Sequence, residues 1–215
     1  RRQEQDTRSP MHVRSGYNRA MSETVYLDNH ATTPLDPRVA EIMWPWLARH
    51  VGNAASHHFF GRQAREAVET ARRQIARAIG ADAEEIIFTS GATEANNLAI
   101  KGLPAEHVVA PAAEHRAVLD PVRRLRRQKV KVTLLPVDGH ARVDPQAVRD
   151  ALSDAPSLVS AMLASNEVGT LNPLPQIAGI CRERGAWMHT DAAQAVGRVP
   201  VDVRELNVDL LSVTA

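Results

Sequence analysis

At 215 residues the chain has the length of one ordinary domain, or of most of a larger one. Lys and Arg number 26 against 25 Asp and Glu, and 44% of residues are hydrophobic, which excludes charge-driven disorder and any net field drawing in nucleic acid or an anionic membrane. The single cysteine, Cys181, excludes an internal disulfide framework and leads us to expect a reducing, cytoplasmic setting.

The first twenty residues are charged and carry no apolar stretch, so they do not read as a secretory signal. We expect residues 1–20 to be a disordered extension or an artefact of the gene start, with Met21 as an alternative first residue and 21–215 as the structured region. Val25-Tyr26-Leu27-Asp28 predicts a short opening strand that turns into Asn29–Pro34. Pro37 starts a helix running to about Arg49, which Pro45 is expected to kink or interrupt. A loop spans Gly52 to Gly61 and includes His57, His58, Phe59 and Phe60 as loop and packing residues. Ala64, Ala67, Val68, Ala71, Ile75, Ala78 and Ile79 then form one stripe at helical spacing, which Gly80 ends.

Beyond Gly80, short apolar runs alternate with helical patterns. The predicted strands are Ile86–Thr89, His107–Ala110, Val130–Leu135, Leu158–Leu163, Ala186–His189 and Val208–Val213; the predicted helices cover 92–101, 116–128, 145–152, 175–184 and 203–206. This alternation predicts an α/β fold, a mostly parallel sheet with helices on both faces. Right-handed crossovers then bring all strand C-termini to one edge, where ligands bind in such sheets. No apolar run approaches the ~18 residues of a membrane span. The basic run Arg123, Arg124, Arg126, Arg127, Lys129 and Lys131 lacks interleaved aromatics and reads as a solvated helix end, not a nucleic-acid surface. Cys181 lies on an apolar helix face and reads as a small buried hydrophobe.

Several motifs fall on that edge. Phe88-Thr89-Ser90-Gly91-Ala92-Thr93-Glu94 reads as a strand, a glycine turn and a helix start, whose free N–H groups and hydroxyl suit a phosphate as well as they suit an ordinary cap. Asp191 follows a strand, where a carboxylate can pair with a ring nitrogen and favour its protonated form. His189 and Asp191 also form a His-x-Asp pair that could ligate a metal, but no third ligand stands at convincing spacing, so the cofactor reading is preferred. His115 could stack on a ring or move protons, and Asn166 and Gln194 could orient a ring hydroxyl.

Tyr26–Pro34, Gly52–Ser56, Thr89–Ile100, Glu114–Leu119, Asn166–Gly169 and Asp191–Gln194 together resemble the cysteine desulfurases, pyridoxal-phosphate enzymes of the class V aminotransferase, fold type I group. The likeness covers essentially all of 24–215, in order. It implies the large domain of such an enzyme, with Ala92, Thr93 and Thr214 on the cofactor phosphate and His115 stacked on the ring as a catalytic proton carrier. It further implies Asp191 on the ring nitrogen, and Asn166 and Gln194 on the ring hydroxyl. The implied reaction takes L-cysteine to L-alanine and leaves sulfur as a persulfide on an enzyme cysteine, for iron–sulfur cluster or thiolation pathways. A cytoplasmic homodimer and a sulfur-acceptor or scaffold protein are implied as partners, and no metal.

The family's Ser/Thr-Gly/Ala-His-Lys turn, its persulfide cysteine and its small C-terminal domain have no counterpart before Ala215, and Cys181 does not match the persulfide position. The lysines present are Lys101, Lys129 and Lys131, none at the expected strand end. The expectation is an incomplete large domain, inactive by itself, whose plainest origin is a truncated gene, a frameshift or a sequence-assembly edge. A family strand absent here would leave Ile86–Thr89 with an unpaired edge. The alternatives are a non-catalytic interaction module, or a related class V enzyme such as a selenocysteine lyase or an aminotransferase.

Overall fold

The computed structural model describes residues 25–214; the expectations for residues 1–20 and Met21 lie outside them. Residues up to Pro34 form one unit and those from Leu35 another. In the first, the Tyr26 hydroxyl bonds the Asp28 carbonyl at 2.9 Å and Thr32 Oγ1 at 2.8 Å around a turn at 29–31. The opening strand predicted at Val25–Asp28 does not form, because no neighbouring strand among the described residues offers it a ladder.

The second unit begins with α1 (Pro37–Ala48), capped by Asp36, which accepts from the Arg38 N–H at 2.8 Å. Pro45 does not interrupt it. α1 has no buried residue, so the carbonyl left unpaired by the missing proline N–H faces water, where it costs little. α2 (Phe59–Ile79) starts five residues before the apolar stripe announces it and ends on Gly80 at φ 71°. His58 is its cap, its Nδ1 accepting from the Gly61 N–H at 3.3 Å, so Phe59 and Phe60 are helical and not loop.

A single 3₁₀ turn, Ala83–Glu85, leads to Ile86–Thr89, which is not a strand. A groove of about 230 Å³ separates it from the nearest edge of the sheet, and Ile87 stays 70% exposed. It lacks a ladder partner, so β-propensity alone does not make it sheet. Then come α3 (Ala92–Gly102), β1 (His107–Pro111), α4 (Arg116–Arg127), β2 (Lys131–Leu135), α5 (Pro145–Ala151), β3 (Ser157–Ser160), α6 (Leu174–Glu183), β4 (Trp187–Asp191), α7 (Val203–Leu206) and β5 (Leu210–Ser212).

Among the described residues all five strands are parallel, in the order β2-β1-β3-β4-β5. Alternation along each strand divides the core. Val109, Val159 and Met188 stand in register and pack with Leu174, Ile177 and Cys181 of α6. Val108 and Leu158, the neighbouring positions, pack with Ile100 of α3 and with Val118 and Val122 of α4. Helices therefore cover both faces, as the alternating pattern predicts.

Candidate active site

Because every strand runs the same way, the segments after β1, β3, β4 and β5 emerge at one edge of the sheet. They carry His115, Asn166, Asp191 with Gln194, and Thr214 respectively; the start of α3, with Ala92 and Thr93, belongs to the same cluster through Asn96.

Asp191 is the last residue of β4 and only 7% exposed. Its Oδ2 accepts from Asn96 Nδ2 at 2.6 Å and its Oδ1 from the Ala193 N–H at 3.0 Å. Both oxygens are thus aimed, one by α3 and one by the turn that follows the strand. Asn96 is fully buried, and its Oδ1 has no partner. Sequence reasoning gave Asn96 no role; its spacing of one helical turn from Ala92 and Thr93 was the available signal.

α3 begins at Gly91, with φ 149° and ψ 179°, a backbone conformation that essentially only glycine adopts. No side chain caps the helix. Glu94 reaches back to the Ser90 N–H at 2.6 Å, leaving the N–H groups of Ala92 and Thr93 at the helix start for an anion. Open space lies in front of Gly91, where an added Cβ would meet nothing within 4 Å.

His115 caps α4, its Nδ1 accepting from the Ala117 N–H at 3.1 Å. That bond holds the ring in one orientation with Nε2 carrying the proton. Thr93 and His115 line one groove of about 650 Å³ between α3 and α4, together with Arg116 and Arg124. Asn166 lies at the tip of a tight turn closed by the Ser165 N–H to Thr170 carbonyl bond at 2.9 Å. Gln194 Oε1 accepts from Arg198 at 2.7 Å, and Thr214 is exposed just beyond β5.

His189 serves the sheet. Its Nδ1 meets Ser160 Oγ at 2.8 Å and its Nε2 meets Ser212 Oγ at 3.0 Å, so one buried imidazole ties β3, β4 and β5 together. A neutral ring has one donor and one acceptor, which matches two hydroxyls that can play either part. Both nitrogens are used in this bridge, and among the described residues no group of three or more His, Cys, Asp or Glu is placed to hold a metal. Cys181 is buried with its Sγ 3.9 Å from Met188 Sδ, and burial pushes its thiol up to about 12, as suits a packing residue. Among the described residues no helix is long and apolar enough to cross a membrane.

Residues 25–215 match the family model for class V aminotransferases. The chain belongs to that family. The cysteine desulfurase IscS of Rickettsia felis is 47% identical over 197 residues, covering 88% of this chain and 48% of that protein; the Rickettsia bellii IscS is 48% identical over the same span. Among solved structures, SspA in complex with cysteine superposes with TM-score 0.86 at 34% identity, covering 89% of this chain and 57% of that one. DndA from Streptomyces lividans superposes at 0.76 with 37% identity, covering 88% and 55%. The class V chain thus spans about half the length of the relatives it matches, and its sheet is that of fold type I enzymes. Enzymes of this family use pyridoxal phosphate.

Proposed function

We propose that this class V chain supplies the cofactor-binding half of a cysteine desulfurase active site. The observation that carries the reading is the lock between Asn96 and Asp191. The helix whose start suits a phosphate also aims, one turn later, the carboxylate that suits a ring nitrogen. A phosphorylated pyridine is a ligand with those two features a fixed distance apart, and the residues present fit it.

Pyridoxal phosphate, when bound, supplies an electron sink next to the substrate's α-carbon. Ala92 and Thr93 would hold its phosphate through backbone N–H groups and the Thr93 hydroxyl, with Thr214 as a further contact from the β5 side. Asp191 would hold the proton on the ring nitrogen. His115, its Nδ1 committed to the α4 cap, would present the ring face and Nε2 for stacking and proton movement. Asn166 and Gln194 would orient the ring hydroxyl. L-cysteine as substrate, persulfide sulfur transfer, a homodimer and a sulfur-acceptor partner belong to this reading through the IscS relatives and the cysteine complex of SspA.

No lysine in these 215 residues follows a strand at the edge that carries Asp191; Lys101 shares the α3–α4 groove with Thr93 and His115 but stands at the opposite end of α3 from Thr93. Lys101 is in the last turn of α3 and bonded to Asn97, Lys129 follows α4, and Lys131 opens β2 at the opposite edge of the sheet. We therefore propose that the chain binds the cofactor without covalent attachment and does not release sulfur alone. Equilibrium dialysis against pyridoxal phosphate should show binding that Asp191→Ala weakens by about tenfold or more, the loss of one charge-assisted contact. Borohydride treatment followed by peptide mass spectrometry should find no adduct on these lysines. Equal affinity of wild type and Asp191→Ala overturns the site, and a site-directed lysine adduct overturns the noncovalent mode.

A further inference from the structure

Glu114 immediately precedes the stacking candidate His115, yet its own side chain faces inward and is 5% exposed. Its Oε1 accepts from the Met162 N–H at 2.6 Å, and its Oε2 is buried with no partner. Met162 is held on its other side too: its carbonyl accepts from Asn172 Nδ2 at 2.9 Å. The next residue, Leu163, donates its N–H to the Asp191 carbonyl at 3.0 Å, and Asn166 follows three positions later. The Met162 peptide is therefore a junction at which the turns carrying His115, Asn166 and Asp191 meet. Glu114 is the side chain that brings the His115 turn into it.

A bond from a surface turn to a buried backbone N–H could have been made by water or by a small hydroxyl. A carboxyl placed there leaves an unpaired buried oxygen, a cost that a water or a small hydroxyl would not carry. Alanine in its place would strand the Met162 N–H and free the 112–115 turn. We propose that Glu114 is a positioning residue, its carboxyl fixing the His115 turn against the segment that leads to Asn166 and against the strand end of Asp191. The inference rests on the cofactor reading above and adds to it the element that sets the spacing between ring face and ring edge.

The test compares wild type, Glu114→Ala, Glu114→Gln and Val122→Ala, all at a urea concentration and temperature where circular dichroism shows each folded. Val122→Ala removes buried methyl groups from α4 without touching the junction. Three quantities are read: amide exchange at Met162, residual dipolar couplings of segments 112–115 and 161–166, and the dissociation constant for pyridoxal phosphate. Glu114→Ala should speed Met162 exchange about tenfold or more, split the two segments into separate alignments, and weaken pyridoxal phosphate by about tenfold. Glu114→Gln keeps the acceptor oxygen and should restore all three. Val122→Ala should lower the unfolding midpoint and move none of them. Unchanged couplings in Glu114→Ala overturn the positioning role, and so does unchanged affinity once Met162 protection is lost. If wild type binds no pyridoxal phosphate, the cofactor reading fails. The exchange and coupling data, which need no ligand, then decide Glu114 separately.

Discussion

Burial moves two side chains near the site away from their ordinary pKa in opposite directions. Burial pushes the Glu114 carboxyl up from 4.5 to about 8, against the Met162 hydrogen bond and with a contribution from Asp191. Burial pushes the His189 imidazole down from 6.5 to about 4. The folded state therefore holds more protons than the unfolded at Glu114 between pH 4.5 and 8, so this contribution is complete below 4.5 and is lost as pH rises to 8. At His189 the folded state holds fewer protons between 4 and 6.5, so this contribution is complete above 6.5 and is lost as pH falls to 4. Each changes stability by ~1.4 kcal/mol per pH unit inside its window. The two cancel over the overlap from 4.5 to 6.5. Urea titrations across pH should show that Glu114→Gln makes stability rise with pH in this overlap relative to wild type. His189→Gln should make it fall.

The elements that were readable in the sequence are those whose signal is carried by their own residues. β1, β3 and β4 are short apolar runs between turn residues, and α3 to α7 fell within two residues of expectation. The failures are elements whose fate depends on something outside them. Ile86–Thr89 has strand composition but no ladder to join, and Val25–Asp28 shares that fate. The start of α2 rests on a histidine cap, which propensity does not favour, and on Gly61. A Cβ on Gly61 would come within 2.3 Å of the Ser56 carbonyl oxygen. At the start of α3 it is the φ of 149° that calls for glycine. Gly91→Ala has open space for its methyl, so its cost is backbone strain alone, ~1–3 kcal/mol. Differential scanning calorimetry should register that loss, and pyridoxal phosphate affinity should fall with it as the Ala92 and Thr93 N–H groups shift.

At the scale of the molecule, the convergence of His115, Asn166 and Asp191 on one edge was legible because parallel topology follows from element alternation and dictates where strand ends lie. The lining that holds the site was not legible. Asn96, Glu114 and Asn172 act across separations of 95, 48 and 10 residues, and no local pattern encodes such pairings. Nor did the sequence separate a surface helix from a covered one at α1. Ile42 and Leu47 are 71% and 73% exposed, and with Met43, Trp46, Ala64 and Val68 they line an apolar groove of about 1000 Å³ between α1 and α2. Apolar surface of this extent binds hydrophobic probes. Anilinonaphthalene sulfonate should fluoresce strongly with the native protein, and Leu47→Lys should reduce the signal while leaving the far-ultraviolet spectrum unchanged.

The strand order has a further meaning for how the protein is made. Once β1 and β2 have paired, β3 adds to the free side of β1, and β4 and β5 then each add to the outer side of the strand made just before them. A sheet of this kind can lengthen while the polypeptide is still leaving the ribosome, with no earlier pairing to be undone. Nascent chains stalled far enough downstream for Ser160 or Asp191 to have cleared the ribosome should already resist protease over β1 to β3 and β1 to β4. The three-residue β5, the shortest of the five described strands, should be the first to fray.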